Sequence, residues 1–286
     1  MHLKNEISAF MSEEGIRHDI KVVDNHNLIY AYQHTGIPVV LIPVAIYAET
    51  PQQAESDATA LERLAESISS QTGGRPLTIA EDRWRQSPEV IKARILAHME
   101  VFTQIYGRNC EVRKIDRQTA AGFLNITHSY GDASCRYRYG LYLKRHTGHN
   151  AASTAHIGEL IAVATFSNAR KWLKGDKTIR SYEWTRYASL PGLRISGGMG
   201  KLLNAFIKDI SPDDIMTYAD MEWSEGNVYE KLGFTLEGRK EPVTFIIDTD
   251  TWNRRAISKS EESEAPCRYF QNSGSNKYRL KLTDYQ

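Results

Sequence analysis

The sequence predicts an α/β chain in two parts: a small α-β-β-α-β-α unit over 1–107, then a larger α+β unit with a mixed, mostly antiparallel sheet over 108–286. Three observations carry this. Short apolar runs rich in β-branched and aromatic residues alternate with stretches of helical period. The order changes near Cys110, where strands begin to follow one another as a meander. Charge is divided unevenly: Met1–Ile105 holds 9 Lys+Arg against 14 Asp+Glu, a net −5, which leaves +6 for the remainder. Two domains with different solvated faces explain that asymmetry, and attraction of an anionic ligand to the C-terminal part is the sharper alternative.

The elements follow in order. Leu3–Glu14 reads as a helix. "NLIYAYQ" and "IPVVLIPVAIY", separated by "HTG", read as neighbouring strands. Thr50 is an N-cap, Pro51 occupies the first turn and Gln53 the capping-box position of a helix whose stripe is Ala54, Ala58, Leu61, Ala65 and Ile68. Gly73 and Gly74 end it. "RPLTIAEDRW" reads as a third strand. Ser87 and Pro88 start a helix with the stripe Ile91, Ile95, Met99, Phe102 and Tyr106. From Cys110, "CEVRKI" is a strand and "RQTAAGFLNITH" a helix. "YRYGLYLKR", "GELIAVATFS" and "IRSYEWTRYASL" are three strands, the first two joined by the polar insertion "HTGHNAASTAHI". A glycine-rich loop and a helix follow, then the strand "DIMTYADMEW", a short helix at "GNVYEKLG" and the strand "EPVTFIID". "SKSEESEAPC" reads as a mobile loop, and "RYFQNSGSNKYRLKL" as a closing hairpin.

The totals exclude several classes. With 41% hydrophobic and 25% charged residues the composition is that of a soluble globular protein. No apolar run reaches the length of a membrane span, and "MHLKNEISAF" lacks the apolar core of a signal peptide. Cys110, Cys135 and Cys267 are scattered and odd in number, so free thiols in a reducing cytoplasm are expected and no metal site.

The loop "LRISGGMGKLL" is the first candidate site. Gly197, Gly198 and Gly200 remove side chains where a strand hands over to a helix. Backbone N–H groups and the positive end of the helix dipole can then converge on a phosphate. Arg194 and Lys201 flank the loop with positive charge. It is no Walker loop, because Leu202 stands where the magnesium-binding hydroxyl belongs. A dinucleotide fingerprint belongs early in a parallel βαβ unit, and this loop comes late. A tight turn without a ligand is the alternative.

One helix later comes "SEGNVYEKLGF". Taken together, the two motifs resemble the GCN5-related N-acetyltransferase (GNAT) superfamily, and the element order from Cys110 onward is similar too. The resemblance implies a coenzyme A pyrophosphate at Gly197, Gly198, Met199, Gly200 and Lys201, with Arg194 beside it. It implies that Asn227, Tyr229, Gly233 and Phe234 lie by the thioester, and that the backbone near Ala188 and Leu190 pairs with pantetheine. Arg194 stands one residue further from the Gly198–Gly200 pair than the family spacing. The implied general acid is Tyr229, with core packing as the plain alternative. The position-compatible base is Glu183, with an arginine salt bridge as its alternative. Strand alternation puts Tyr182, Trp184 and Arg186 on one face and Glu183, Thr185 and Tyr187 on the other. His128 reads as a capping or solvated histidine. Asp220, Glu222 and Trp223 either orient an acceptor amine or finish a strand. "CRYRYGLYLKR" reads as a core strand with a basic face rather than a nucleic-acid surface.

A broader resemblance covers nearly the whole chain. "EDRWRQSPEVIKARI", "NITHSYGDASCRYRYGLYLKR", "YEWTRYAS", "TYADMEWSEGNVYEKLGF" and "NSGSNKYRL" are similar to phage and mobile-element proteins in which a GNAT-like domain follows a segment resembling very-short-patch repair endonucleases. Glu81, Asp82, Trp84, Lys92, Ala93 and Arg94 carry that phrase. Such nucleases hold magnesium with carboxylates on paired strands. The strands here carry no Asp, and only Asp24 and Glu49 lie near their ends, so a degenerate nuclease-like unit without that activity is expected.

The expected function is therefore a coenzyme A-dependent N-acyltransferase that moves acetyl from acetyl-CoA to an amine on a small molecule or protein. Nucleic acid is the less favoured partner, and no membrane is expected. The rival is a non-catalytic or DNA-associated accessory protein of a mobile element that keeps the fold.

Overall fold

The computed structural model describes residues 2–33, 36–146, 155–224, 226–257 and 267–284. In chain order the elements are α1 (Leu3–Glu13), β1 (His18–Val23), β2 (His26–Tyr32), β3 (Pro38–Val44), α2 (Pro51–Thr72), β4 (Leu77–Ala80), α3 (Glu81–Gln86), α4 (Pro88–His98) and β5 (Thr103–Tyr106). A 3₁₀ turn at Gly107–Asn109 precedes β6 (Cys110–Lys114), α5 (Arg117–Thr127), β7 (Tyr137–Leu143), β8 (Leu160–Phe166), β9 (Arg170–Lys174), β10 (Lys177–Ser189), β11 (Leu193–Ser196) and α6 (Gly198–Ile210). Then come β12 (Asp214–Asp220), α7 (Asn227–Lys231), β13 (Thr235–Lys240), β14 (Thr244–Asp248), β15 (Arg254–Ala256), β16 (Cys267–Gln271) and β17 (Ser275–Lys281). Most of the insertion and of the polar loop expected at 258–267 lies outside the described residues.

Two compact units divide the chain. The first is Met1–Glu100 with Ala219–Gly226 and Gly238–Asn276; the second is Val101–Tyr218 with Asn227–Glu237 and Lys277–Gln286. The division differs from a continuous 1–107 and 108–286, because two later segments return to the first unit.

In the first unit, β1-β2-β3-β4 form one sheet, with β3 and β4 parallel and the other pairs antiparallel. One face carries α1 and α4 over Ile29, Leu41, Ile79 and Trp84; the other carries α2 over Leu28, Val40 and Ile42. The Thr50 side chain accepts the Gln53 N–H, and Gly73 closes α2 in the left-handed conformation, as the capping signals predict. Strand β1 was not anticipated. Its hairpin to β2 turns on Asp24 and Asn25, both at positive φ (48° and 63°), without a glycine to mark it.

The expected strand through Trp84 stops at Ala80. Glu81 instead opens α3, where Asp82 and Glu81 sit in the first turn beside the positive helix end. The helix is held by specific partners. Glu81 accepts the Ile46 N–H and pairs with Arg85, while Glu6 accepts from Trp84 Nε1 and Arg85. Asp82, fully buried, takes a two-pronged ion pair from Arg254. The residues "EDRW" thus serve packing in this unit. Helix α4 ends at His98, short of the expected Tyr106, and Phe102 and Tyr106 belong to the next segment and to β5. The expected hairpin from "RYFQNSGSNKYRLKL" does not form. β16 joins β14 and β15 in a three-stranded sheet, and β17 enters the large sheet of the second unit.

That large sheet runs β13-β17-β12-β10-β8-β7-β6, with β9 also on β10. From β6 to α7 the expected strand, helix, meander, glycine-loop helix, strand and short helix are present, with β9 and β11 added; the strand that follows in this sheet is β13, whereas the expected "EPVTFIID" is β14 of the three-stranded sheet. Helix α6 buries Leu202, Leu203 and Phe206 on one face. Phe206 stacks on Phe166 at 3.9 Å between ring centroids, and Trp184 stacks on Phe166 at 5.4 Å. Helix α5 buries Ala120, Phe123 and Leu124 against Val163 and Ala188 on the opposite face.

Candidate active site

Strands β10 and β12 run parallel, but only Ser181–Glu183 pair with Asp214–Met216. Beyond that point β10 stays on β8 and β12 does not follow it. Among the described residues no strand pairs the other edge of β10 from Trp184 to Ser189, so the sheet forks after Glu183 and Met216. Trp184 and Thr217 are the first residues of the two prongs, joined by a bond from the Thr217 hydroxyl to the Trp184 carbonyl (3.1 Å).

Tyr229, on α7, stands at this fork. Its ring meets Trp184, Phe234 and Tyr278 at 6.2, 5.8 and 5.6 Å between centroids. Burial pushes its phenol above the ordinary tyrosine value, opposed by a side-chain hydrogen bond with Thr217. The phenol is accordingly neutral near pH 7 and able to donate. A second phenol, Tyr187, touches Trp184 edge-on at 6.3 Å and is also raised by burial.

A bulge between Trp184 and Arg186 changes which β10 side chains share a face. Strict alternation puts Arg186 with Trp184. The register instead sets Trp184 opposite Phe166 and Tyr187 opposite Ala164, so Tyr187 joins the α6 face. Arg186 moves to the α5 face, where it donates to the Gly131 carbonyl (3.1 Å) and lies over Tyr130 at 5.9 Å. Burial lowers its pKa, partly offset by Tyr130 and Glu183. Glu183 shares this face and is anchored through Ser167, whose Oγ accepts its N–H at 2.9 Å. Glu183 and Tyr229 therefore belong to different faces, with the fork between them.

The bulge also decides the open backbone groups. The Leu190 N–H donates to the Ile161 carbonyl (2.9 Å). Antiparallel alternation then turns Ala188 toward Val163 as well. The groups facing the fork belong to Tyr187 and Ser189, one residue off the expected Ala188 and Leu190.

Gly197 caps α6 at φ 75°, and a Cβ added there would meet nothing within 4 Å. The N–H groups of Gly198, Met199 and Gly200 open the helix and have no intrahelical acceptor. This loop fits an anion. Its surroundings differ from the expectation in one respect. β5 pairs in parallel with β11, which brings Gly107 against the loop: a Cβ at 107 would lie 3.1 Å from the Gly197 carbonyl and 3.2 Å from the Gly198 nitrogen. Lys201 donates to the carbonyls of Gly107 (3.0 Å) and Cys110 (2.6 Å), so its charge is fixed at the flank of the loop. Arg194 is exposed, with its guanidinium over Phe102 at 5.0 Å. Gly198 faces the core rather than the loop mouth, since its Cβ would fall 2.7 Å from Ile195 and 3.3 Å from Leu141. A Cβ at Gly200 would meet Leu232 at 3.3 Å. Asn227 is exposed at the start of α7.

The remaining candidates are placed as follows. His128 Nδ1 accepts the Tyr130 N–H at 3.1 Å, a capping role. Asp220 accepts the Glu222 N–H at 3.0 Å, and Trp223 is buried in the α1/α4 core of the first unit. These residues finish a strand and enter that core. Asp24 is a turn residue, and Glu49 pairs with Arg268 at 3.5 Å. The fork residues Thr217 and Ser189 were missed by sequence reading, because only strand pairing singles them out.

No family model and no curated protein matches the chain. Among solved structures it is similar to Eis1 from Mycobacterium abscessus, with a TM-score of 0.34, 16% identity, and coverage of 49% of this chain and 34% of that one. It is also similar to the histone acetyltransferase HPA2 and related acetyltransferase of Corynebacterium glutamicum, with a TM-score of 0.31, 11% identity, and coverage of 84% and 97%. A third similarity is to a mutant of the AtaT toxin bound to the C-terminus of the antitoxin AtaR and acetyl-CoA, with a TM-score of 0.26, 12% identity, and coverage of 57% and 93%.

Proposed function

We propose that the second unit is a coenzyme A-dependent N-acyltransferase, transferring acetyl from acetyl-CoA to an amine. The observation that carries this reading is the fork between β10 and β12 with the Tyr229 phenol hydrogen-bonded to Thr217 at its opening. A thioester in that fork would have pantetheine amides against the open groups of Tyr187 and Ser189. Its pyrophosphate would meet the N–H groups of Gly198, Met199 and Gly200, with Arg194 as the mobile cation.

The amine nitrogen attacks the acyl carbon, and the carbon–sulfur bond breaks as the tetrahedral adduct collapses. The departing thiolate takes the Tyr229 proton. Desolvation that raises the phenol also raises the basicity of a thiolate in the same place, so the transfer stays near balance. The amine proton goes to Glu183 through water on the α5 side of the fork, or to solvent. In this reading Asn227, exposed at the start of α7, would lie near the departing group.

Tyr229→Phe tests this, because it keeps the ring contacts and removes the hydroxyl. Calorimetric titration with acetyl-CoA should show affinity within a few fold of the parent. Thiol release, with a panel of amines or by slow hydrolysis, should fall by roughly 10²-fold. Parent protein that does not bind acetyl-CoA at all would sink the reading. A second reading, a non-catalytic accessory protein that keeps the fold, is favoured by the engagement of Lys201 with two carbonyls and the close packing of Gly107 on the loop. It expects the same titration to be flat.

A further inference from the structure

The sheet of the first unit has two edges of different character. At β4 the Thr78 N–H donates to the Glu222 carbonyl (2.8 Å), so a later segment of the chain covers that edge. At β1 nothing among the described residues pairs the outer side. Every residue of β1 after His18 is exposed, with Ile20 at 41% and Val22 at 68%. An exposed strand edge with apolar side chains is a template for another strand.

The register decides which groups point outward. The Tyr32 N–H donates to the Arg17 carbonyl (2.9 Å), and His18 lies opposite Ala31. Alternation makes Arg17, Asp19, Lys21 and Val23 the residues bonded to β2, and leaves the N–H and C=O groups of His18, Ile20 and Val22 facing out. We propose that β1 pairs antiparallel with β1 of a second copy of this chain, about a two-fold axis through Ile20.

The axis follows from two constraints. Only outward-facing residues can bond across the new interface, so paired residue numbers must sum to an even value. Full use of β1 then leaves axes at Ile20 or Lys21. An axis at Lys21 sets Lys21 against its own copy in a non-bonded pair, where Cα atoms approach to about 4.5 Å. An axis at Ile20 sets Asp19 against the copy's Lys21, twice, in those close pairs. Like charges directly opposite destabilise a sheet and opposite charges support it. The same axis lays Ile20 on its copy and Val22 beside the copy's His18. Residues 18, 20 and 22 make the backbone bonds on both sides, so the two sheets become continuous. The side chain of His18 is already oriented by Ser8 (2.7 Å) and the Ile16 carbonyl (2.9 Å), which leaves its face free of rearrangement.

Sedimentation velocity on the full chain over about 1–100 μM tests the proposal. The parent should populate a dimer. Lys21→Asp sets a carboxylate against Asp19 at both close pairs, and Asp19→Lys sets two lysines against each other; each should weaken dimerisation about tenfold or more. The double variant Asp19→Lys/Lys21→Asp restores opposite charges and should recover the dimer. Ile20→Pro removes an outward donor without touching the β2 ladder and should abolish it, with circular dichroism confirming that the fold is kept. A monomeric parent at about 100 μM would overturn the pairing. So would a dimer indifferent to both single charge changes, and failure of the double variant to recover would overturn the Ile20 axis.

Discussion

Glu222→Gln should raise the stability of the first unit at pH 8 and leave it unchanged near pH 5. Glu222 is buried at 2% exposure, and its Oε1 has no hydrogen-bond partner. Burial and the nearby Asp220 push its carboxyl up from 4.5 to about 8, with Arg254 and Arg83 opposing and Asp82 adding to the rise. Between the unfolded and folded values the folded state therefore holds a proton that the unfolded chain has released. Stability is full below about pH 4.5 and is lost as pH rises toward 8. At about 1.4 kcal/mol per pH unit, the span from 4.5 to about 8 sets an upper bound of about 5 kcal/mol on this loss. Relaxation and water entry reduce it, and a difference of about 1–3 kcal/mol between parent and variant at pH 8 is expected. Glutamine imitates the protonated acid and cannot ionise. Urea unfolding at pH 6.5, 7.25 and 8 gives the comparison, in a window above the one set by His98. Hydrogen exchange at Thr78, whose N–H donates to the Glu222 carbonyl, assigns the change to the first unit. Parallel stability–pH curves for parent and variant would refute the reasoning.

Further outcomes are expected. Burial and Arg94 hold the His98 imidazole down from 6.5 to about 4, so it is neutral in the fold and its contribution is lost as pH falls through that range; His98→Phe should flatten the acid limb of the stability–pH curve, by at most about 3 kcal/mol, in the same urea series. Gly198→Ala should cost about 1–3 kcal/mol in thermal unfolding, because the new methyl collides with Ile195 and Leu141, while acetyl-CoA affinity of the folded protein changes little. Gly197→Val, strained at φ 75° and projecting into open space at the loop mouth, should weaken binding in the calorimeter instead. Asp82→Asn removes the carboxylate facing buried Arg254 and should destabilise by about 3–5 kcal/mol, whereas Asp82→Leu/Arg254→Met should recover much of the loss by chemical denaturation.

Locally encoded features were legible in the sequence. Thr50, Pro51, Gln53 and Gly73 mark α2 because capping acts within one turn of chain, and the glycines mark α6 for the same reason. β6, α5, β7, β8, β10, α6, β12 and α7 were legible in that order, while β9, β11 and β13 were not. Features fixed by distant partners were not. Glu81–Trp84 reads as strand until Glu6, Ile46 and Arg254 supply partners for the side chains of α3. β5 and β11 are four residues each, and only their pairing with one another, 90 positions apart in sequence, makes them strands. β16 and β17 are adjacent in sequence, yet they pair in different sheets, which no local signal distinguishes from a hairpin. The candidate residues at the fork were named on the motif, while their faces and open backbone groups waited on the register.

The bulge in β10 is where that limit matters most for chemistry. One extra residue between Trp184 and Arg186 inverts the remainder of the strand. If Thr185 were instead paired in a regular ladder, Arg186 would project among Phe166, Phe206 and Trp184, an uncompensated guanidinium in a stacked aromatic core, and Tyr187 would face α5. With it, the cation reaches the Gly131 carbonyl and Tyr130, and a phenol joins Trp184 on the side where Tyr229 stands. The same shift decides that Tyr187 and Ser189, not Ala188 and Leu190, offer N–H and C=O groups to the fork. A side-chain constraint, the cost of burying Arg186 unpaired, thereby selects which backbone atoms face the fork. Fold and site are coupled through a single inserted residue. Deleting Thr185, the residue the bulge leaves unpaired, should keep Arg186 opposite Thr165 and Tyr187 opposite Ala164 and so spare the core, whereas Tyr229→Phe should separate binding from turnover.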